Sequence, residues 1–440
     1  MSAGPAVRWI PGRRLWLLAL LSLAAYPFGA AGLYAGLLYN ALLIVAAVYE
    51  ARVLGAAVPS ALRRLDARLL LGVENEVSIR LHNPSSHRLQ VVIRDDSPAG
   101  FRPDVEDLAV VLAPRARAEV SYRVVPARRG RFRFGQIHLR VEGLLALGAV
   151  IASHDAEQRT RVYPNLRGPK RYELAARLGA LHSVGVRAVR RPGAGGEFEQ
   201  LREYVSGDSY RDLDWKATAK RLRPVTRVNG QEQSQTVVVA LDAGRMMATA
   251  LDQLTKLDHA INAALLVAYV ALRGGDRVGL IVFAENVSTF LPPHRGPTQY
   301  RRILEALAAV EASPTYVDFR RLSEFVRARL PRRALLVLFS DLLDESQAMP
   351  MAEQAALLSR KHLPVCVTMN DPVAETLAHA AVTSTEQAYA RAAAAAVLED
   401  RAAIKAHLRK AGVGLVEAPA SSLAIATVNR YLEIKSKHVL

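Results

Sequence analysis

The chain has 440 residues, 51% hydrophobic and 22% charged, with 58 Lys and Arg against 41 Asp and Glu for a net charge of +17. That length exceeds one ordinary core and asks for two or three domains, and the composition excludes a disordered or collagen-like chain. The basic excess is spread along the sequence, which excludes the basic tail or stripe of a dedicated nucleic-acid binder and suits an anionic lipid surface. The lone Cys366 excludes a disulfide scaffold and a Cys-based zinc site, and it suits a reducing compartment.

The first element is apolar. No charged residue lies between Arg14 and Glu50. As one helix that run would extend about 52 Å, against a hydrocarbon core of about 30 Å. Tyr26-Pro27-Phe28-Gly29 puts a turn signal in its middle, so two transmembrane helices are expected, about 13–27 and 30–50, within an N-terminal segment 1–54. Arg8, Arg13 and Arg14 precede the run, and Arg52, Arg63, Arg64 and Arg68 follow it. Basic flanks favour the cytoplasmic side, so a hairpin with both ends cytoplasmic fits better than one span. The rival reading is a signal peptide with Leu15–Leu23 as its apolar region and small residues near Ala30 as cleavage site. A second apolar run follows at once, so cleavage would still leave an anchor. The expected location is the inner membrane, multi-pass, with the soluble domains in the cytoplasm.

From 55 to 170 the pattern has period two. Glu74–Asn83, Gln90–Arg94, Ala109–Leu112, Glu119–Val125 and Gln136–Val141 read as short strands between Pro, Gly, Asp and Asn. Strands spaced this way, without helical periods between them, predict an immunoglobulin-like β-sandwich. Arg128–Phe134 reads as a basic strand with Phe132 and Phe134 on one face and arginines on the other. The arginines suit either an anionic headgroup or a solvated edge that blunts strand addition.

Residues 171–235 are polar. Arg190–Gly196 is a Gly-rich basic loop without the Lys-Ser/Thr ending of a nucleotide site, so a linker is expected. The run from Glu197 to Lys220 follows, in which Gly207-Asp208 makes a turn and Asp208 or Asp212 can cap a short helix. Arg202, Asp208, Arg211 and Asp214 bring two cations and two carboxylates together. They form either an Arg fork for an anionic group or a structural network, which would make Asp214→Ala costly.

Leu201, Arg202, Glu203, Tyr204, Gly207, Asp208, Arg211, Asp214, Trp215 and Ala219 together resemble the signature of the bacterial "domain of unknown function 58" family, with Lys220 where that family usually has Arg. The resemblance implies a membrane hairpin, a β-domain and a von Willebrand factor A-like domain, and a MoxR-type AAA+ ATPase as partner. It supplies no biochemical activity.

Residues 236–440 alternate strand and helix on their own evidence. Thr236–Leu241, Arg277–Phe283, Val287–Leu291, Ala334–Ser340, Val365–Met369 and Gly414–Glu417 read as strands. Leu251–Arg273, Gln299–Val310, Arg320–Leu330, Gln347–Lys361, a further helical stretch and Leu423–Lys435 read as helices. Continuous apolar strands between helices predict a parallel sheet buried on both faces, with ligands at strand C-termini, where Asp242 and Asp341 stand. In an A-like fold that end holds a metal on Asp-x-Ser-x-Ser, a Thr and a second Asp. Here Asp242, Thr315 and Asp341 remain, while Gly244 and Met246 replace the serines and Arg245 adds a positive charge. Three side chains make a degenerate Mg²⁺ site, so no metal is expected, and Gly244→Ser with Met246→Ser should restore it. No Gly-x-Ser-x-Gly elbow, His-Glu-x-x-His or P-loop is present. The expected function is therefore a membrane-anchored interaction or scaffold protein acting with the ATPase on other proteins. The alternative is a metal-dependent enzyme using the Asp242/Asp341 end of the sheet.

Overall fold

The computed structural model describes residues 6–143, 145–165, 195–205, 210, 213–231, 235–251, 253–341, 345–370 and 372–437. Two compact units comprise it, Met1–Asn165 and Leu166–Leu440.

The first unit opens on a strand that periodicity does not reveal, β1 (Ala6–Pro11). Helix α1 (Arg13–Leu21), a 3-10 stretch Ser22–Phe28 and the long helix α2 (Gly29–Ala56) follow. The 3-10 stretch doubles back on α2: Asn40 Nδ2 donates to Ser22 Oγ at 3.0 Å. A Cβ on Gly32 would lie 1.8 Å from the Ala25 carbonyl oxygen, so only glycine permits this backbone approach. Of the two helices expected near 13–27 and 30–50, α2 alone among the described residues is long and apolar enough to cross a membrane. Leu37, Leu38, Leu42, Ile44, Val45 and Tyr49 are exposed on a broad face of it, opposite a buried stripe of Gly32, Gly36, Ala47, Glu50 and Leu54, and such an apolar face suits lipid better than water.

Eleven further strands follow α2: β2 (Ser60–Leu65), β3 (Arg68–Leu70), β4 (Asn75–His82), β5 (Leu89–Asp95), β6 (Phe101–Pro103), β7 (Asp107–Leu112), β8 (Arg117–Pro126), β9 (Gly130–Phe134), β10 (Ile137–Glu142), β11 (Gly148–His154) and β12 (Gln158–Tyr163). They form sheets of order β1-β11-β10-β5-β7, β2-β4-β8-β6 and β3-β12-β9. Alternation is clean: Val77, Ile79 and Leu81 on β4 and Val91 and Ile93 on β5 are buried while their neighbours face outward. On β9 Phe134 is buried and stacks edge-on to Phe101, with Arg131 and Arg133 exposed.

Arg63 is not the cytoplasmic flank its position implied. Its guanidinium lies inside the β-unit, paired with Asp95, donating to the Ala156 carbonyl at 2.7 Å and stacked on Phe134. Tyr122 donates to the same Asp95 at 2.5 Å, and burial, with that carboxylate beside it, pushes the phenol well above its usual range. A buried charge needs such partners, so the alternating pattern takes Arg63 into the core instead of leaving it at a membrane face.

The second unit starts with the hairpin β13 (Gly195–Glu203) and β14 (Val225–Gln231), which frames helix α3 (Trp215–Arg221). Gly195 and Gly196, read as linker, lie in β13, while residues 190–194 are outside the described residues. The remainder is doubly wound: β15 (Thr236–Asp242), the small β16 (Ala250–Leu251) and β17 (Leu254–Thr255) pair, α4 (Lys256–Arg273), β18 (Arg277–Phe283), β19 (Val287–His294), α5 (Pro297–Ala308), α6 (Phe319–Arg329), β20 (Leu335–Phe339), α7 (Glu345–Ser359), β21 (Leu363–Met369), α8 (Pro372–His379), α9 (Thr385–Lys410), β22 (Gly414–Ala418) and α10 (Leu423–Ser436). The sheet order is β19-β18-β15-β20-β21-β22, parallel except for the antiparallel edge strand β19. Val237, Val239 and Leu241 pack with α4 and α10 on one face, and Val238 and Ala240 pack with α6, α7 and α9 on the other. Burial on both faces is why these strands are continuous apolar runs.

Candidate functional site

Adjacent parallel strands β15 and β20 end in Asp242 and, two residues past β20, Asp341. Both are buried, and so is Lys256. Asp242 accepts from the Gly244 amide at 2.7 Å and from the Ser340 hydroxyl at 2.6 Å. Burial, only partly offset by those two donors, pushes its carboxyl up to about 6. The Lys256 ammonium donates to Asp341 Oδ2 at 2.5 Å. Arg401, also buried, donates to the Met369 carbonyl at 2.6 Å and stands 3.9 Å from Asp341 Oδ1. That oxygen accepts no hydrogen bond among the described residues.

Lys256 reaches this position through a helix start that the sequence reading set too early. Residues 250–251 and 254–255 form the β16–β17 pair instead of the first turn of a helix from Leu251. Thr255 then caps α4 in a reciprocal box with Asp258, each side chain taking the other's backbone N–H. The box fixes Lys256 as the first helical residue. A lysine there faces the positive end of the helix dipole, a penalty that Asp341 offsets. Thr255-x-x-Asp258 followed by an apolar run was the available signal.

The loop carrying Thr315 latches onto the loop after β15. The Ser313 amide donates to the Ala243 carbonyl at 2.6 Å and the Arg245 amide to the Thr315 carbonyl at 3.0 Å. The Thr315 hydroxyl bonds that of Ser313 at 2.8 Å. Arg245 is exposed and lies 4.3 Å over the Tyr316 ring, itself half exposed, so the two form a cationic-aromatic rim.

This donor set does not fit an octahedral divalent ion. Both Asp242 oxygens are engaged, Thr315 is bonded to Ser313, Gly244 and Met246 carry no side-chain oxygen, and Asp341 already holds an ammonium. Restoring the serines is not enough either, because a Cβ on Gly244 would lie 2.5 Å from a Val317 methyl carbon. Among the described residues no group of three or more His, Cys, Asp and Glu side chains is arranged for a metal.

The signature segment divides differently from the expectation. Asp214 is the N-cap of α3, accepting from the Ala217 amide at 2.9 Å, so it rather than Asp208 or Asp212 begins the helix. Glu203 pairs with Arg223 at 3.1 Å on an exposed surface. Tyr204 stacks on Tyr210 at 5.8 Å, and Trp215 is exposed. Arg202 lies on β13; its side chain, and the whole of Gly207, Asp208 and Arg211, are outside the described residues, as is any pairing among them.

The family described as "Protein of unknown function DUF58" matches residues 200–411, spanning the signature and the α/β sheet through α9. The chain is 28% identical over 199 residues to "Uncharacterized protein Rv1480" of Mycobacterium tuberculosis and "Uncharacterized protein Mb1516" of Mycobacterium bovis. The aligned stretch is 44% of this chain and 60% of each relative's length. Among solved structures, the conserved hypothetical protein BatB from Bacteroides thetaiotaomicron aligns over 46% of this chain and all of its own, with 17% identity and a TM-score of 0.33. The CARDB domain of a Pyrococcus furiosus protein aligns over 24% of this chain and 88% of its own, with 13% identity and a TM-score of 0.17.

Proposed function

We propose that this chain is a membrane-anchored member of that family. In this reading α1, the 3-10 stretch and α2 form a membrane hairpin, the β-unit is an immunoglobulin-like sandwich, and the α/β unit is a von Willebrand factor A-like interaction domain. Both soluble units face the cytoplasm at the inner membrane, and the domain docks a MoxR-type AAA+ ATPase in the assembly or maturation of other proteins. The strand order with one antiparallel edge strand supports the A-like reading. The apolar face of α2, with Arg8, Arg13 and Arg14 at or before the start of α1 and Arg52 near the end of α2, supports the anchor.

The observation that carries the docking reading is the end of the sheet itself. Ligands of open parallel sheets bind outside strand C-termini. Here that end has a charge-balanced interior and an exposed Arg245–Tyr316 rim, the arrangement of a recognition surface; Arg and Tyr are the residue types that dominate interface energetics. Capture of partners by the full chain from detergent-solubilised native membranes tests it. An AAA+ ATPase recovered with the wild type and lost with Arg245→Glu plus Tyr316→Ala is expected. Equal recovery with both, or recovery of no ATPase, overturns the docking face.

A further inference from the structure

We infer that Lys256 is the resident cation of the Asp242–Asp341 site, so that the sheet end is a metal-independent structure in which the chain's own ammonium takes the place beside Asp341 that a divalent cation would need. Four observations converge. Two carboxylates are buried where adjacent parallel strands end, an arrangement that water does not neutralise. The ammonium that reaches Asp341 is itself 2% exposed and comes from the first position of α4, where a reciprocal cap holds it. Lys256 engages only Oδ2, and Asp341 Oδ1 is buried and accepts no hydrogen bond among the described residues, which leaves one carboxylate oxygen without a donor. The second charge, Arg401, is spent on the Met369 carbonyl and approaches that oxygen no closer than 3.9 Å.

An ammonium is a single charge with three donors, whereas Mg²⁺ or Mn²⁺ carries two charges and takes six oxygens. The two cannot share the space beside Asp341, because a dication there would lie against Nζ. Removal of Lys256 therefore does two things at once. It leaves Asp341 with Arg401, 3.9 Å from Oδ1, as the cation beside it, and it frees Oδ2 alongside the unbonded Oδ1 for a metal and its waters to replace the lost charge. The inference rests on this geometry alone and stands whether or not the sheet end is a docking face.

The test uses the full chain in detergent, with Mn²⁺ alone as the probe, read by thermal melting and by the Mn²⁺ electron paramagnetic resonance signal. The wild type should show neither a melting shift nor a loss of free Mn²⁺ signal at millimolar metal. Lys256→Ala should melt lower without metal and regain stability as Mn²⁺ is added, in a saturable way that EDTA reverses. Saturable Mn²⁺ binding by the wild type that Asp341→Asn abolishes would overturn the inference, and so would a folded Lys256→Ala chain indifferent to Mn²⁺. If Lys256→Ala does not fold, the double variant Lys256→Met with Asp341→Asn removes both charges together. Recovery of folding in the double variant then supports charge compensation as the role of Lys256, and failure to recover it refutes that role.

Discussion

Glu50 is the first charged residue of α2, near its C-terminal end, and it ties that helix to the β-unit. Its Oε1 accepts from the Leu145 and Ala146 amides at 3.1 Å each, and its Oε2 accepts from the Leu147 amide at 2.9 Å. The carboxylate is buried, and only the bond to Leu147 is wholly so; the other two amides lie nearer solvent. Glu50→Ala strands that one inner N–H, costing about 1–3 kcal/mol, and loses two charge-assisted bonds whose donors water can partly satisfy, for about 3 kcal/mol in total. In a unit of this size such a loss lowers the melting temperature by roughly 6–12 °C. Glu50→Gln is no conservative change, since both oxygens accept and an amide NH₂ must face an N–H in either orientation; it should lose nearly as much. Thermal melting of the full chain in detergent, with hydrogen exchange at residues 145–147, measures both effects. Shifts below about 2 °C for both variants, with unchanged exchange at 145–147, would refute the claim that Glu50 fastens α2 to the sheets.

Asp214→Ala should cost about 1 kcal/mol, the worth of an N-cap, and Asp214→Ser should recover most of it in chemical denaturation; a loss above 3 kcal/mol would mean Asp214 anchors a buried network instead. Gly244→Ser with Met246→Ser should produce no Mg²⁺-dependent melting shift, because Val317 crowds the new Cβ and Lys256 keeps its place; a clear shift would reverse that reading. For Asp242 the folded state holds its proton more tightly than the unfolded chain, since burial raises the carboxyl from 3.8 to about 6. Its contribution is therefore least unfavourable at pH 4 and worsens as pH rises to about 6, so Asp242→Asn should stabilise the chain by up to about 3 kcal/mol at pH 7 and by little at pH 4, as urea midpoints would show. A reporter active only in the periplasm, fused after Leu440, should stay silent, and activity there would sink the hairpin.

The α/β strands were legible nearly to the residue because burial on both faces leaves a continuous apolar run; Arg277–Phe283 is the same segment in sequence and structure. The β-unit was legible where strands are long enough to alternate, as in β4 and β8, and illegible at its margins. Strand β1 lies in a short run of Val7, Arg8, Trp9 and Ile10 without period, and it exists because Gly148–His154, far along the chain, pairs with it. Tertiary pairing made that strand, not local propensity. The same override moved the start of α4, where the β16–β17 pair displaced a turn that composition alone assigns to helix.

Motif matching found Asp242, Thr315 and Asp341 and read the missing serines as a site fallen out of use. That reading counts ligands, whereas the fold poses a question of charge. Any sheet that ends two neighbouring strands in buried carboxylates must neutralise them, by a bound cation, by protons or by an internal base. This chain divides the work. Asp242, held by two uncharged donors, has its carboxyl raised towards 6 and ionises above that pH at a cost in stability, while Asp341 is compensated by Lys256. Neither device has a motif, because each depends on where α4 begins and on which groups the sheet buries. The lysine is invisible as a ligand in the sequence because it sits fourteen positions from Asp242 on a helix whose start depends on a pair of two-residue strands. Once that start is fixed, its charge follows from electrostatics: a lysine at the positive end of a helix, shut away from water, is stable only against a carboxylate.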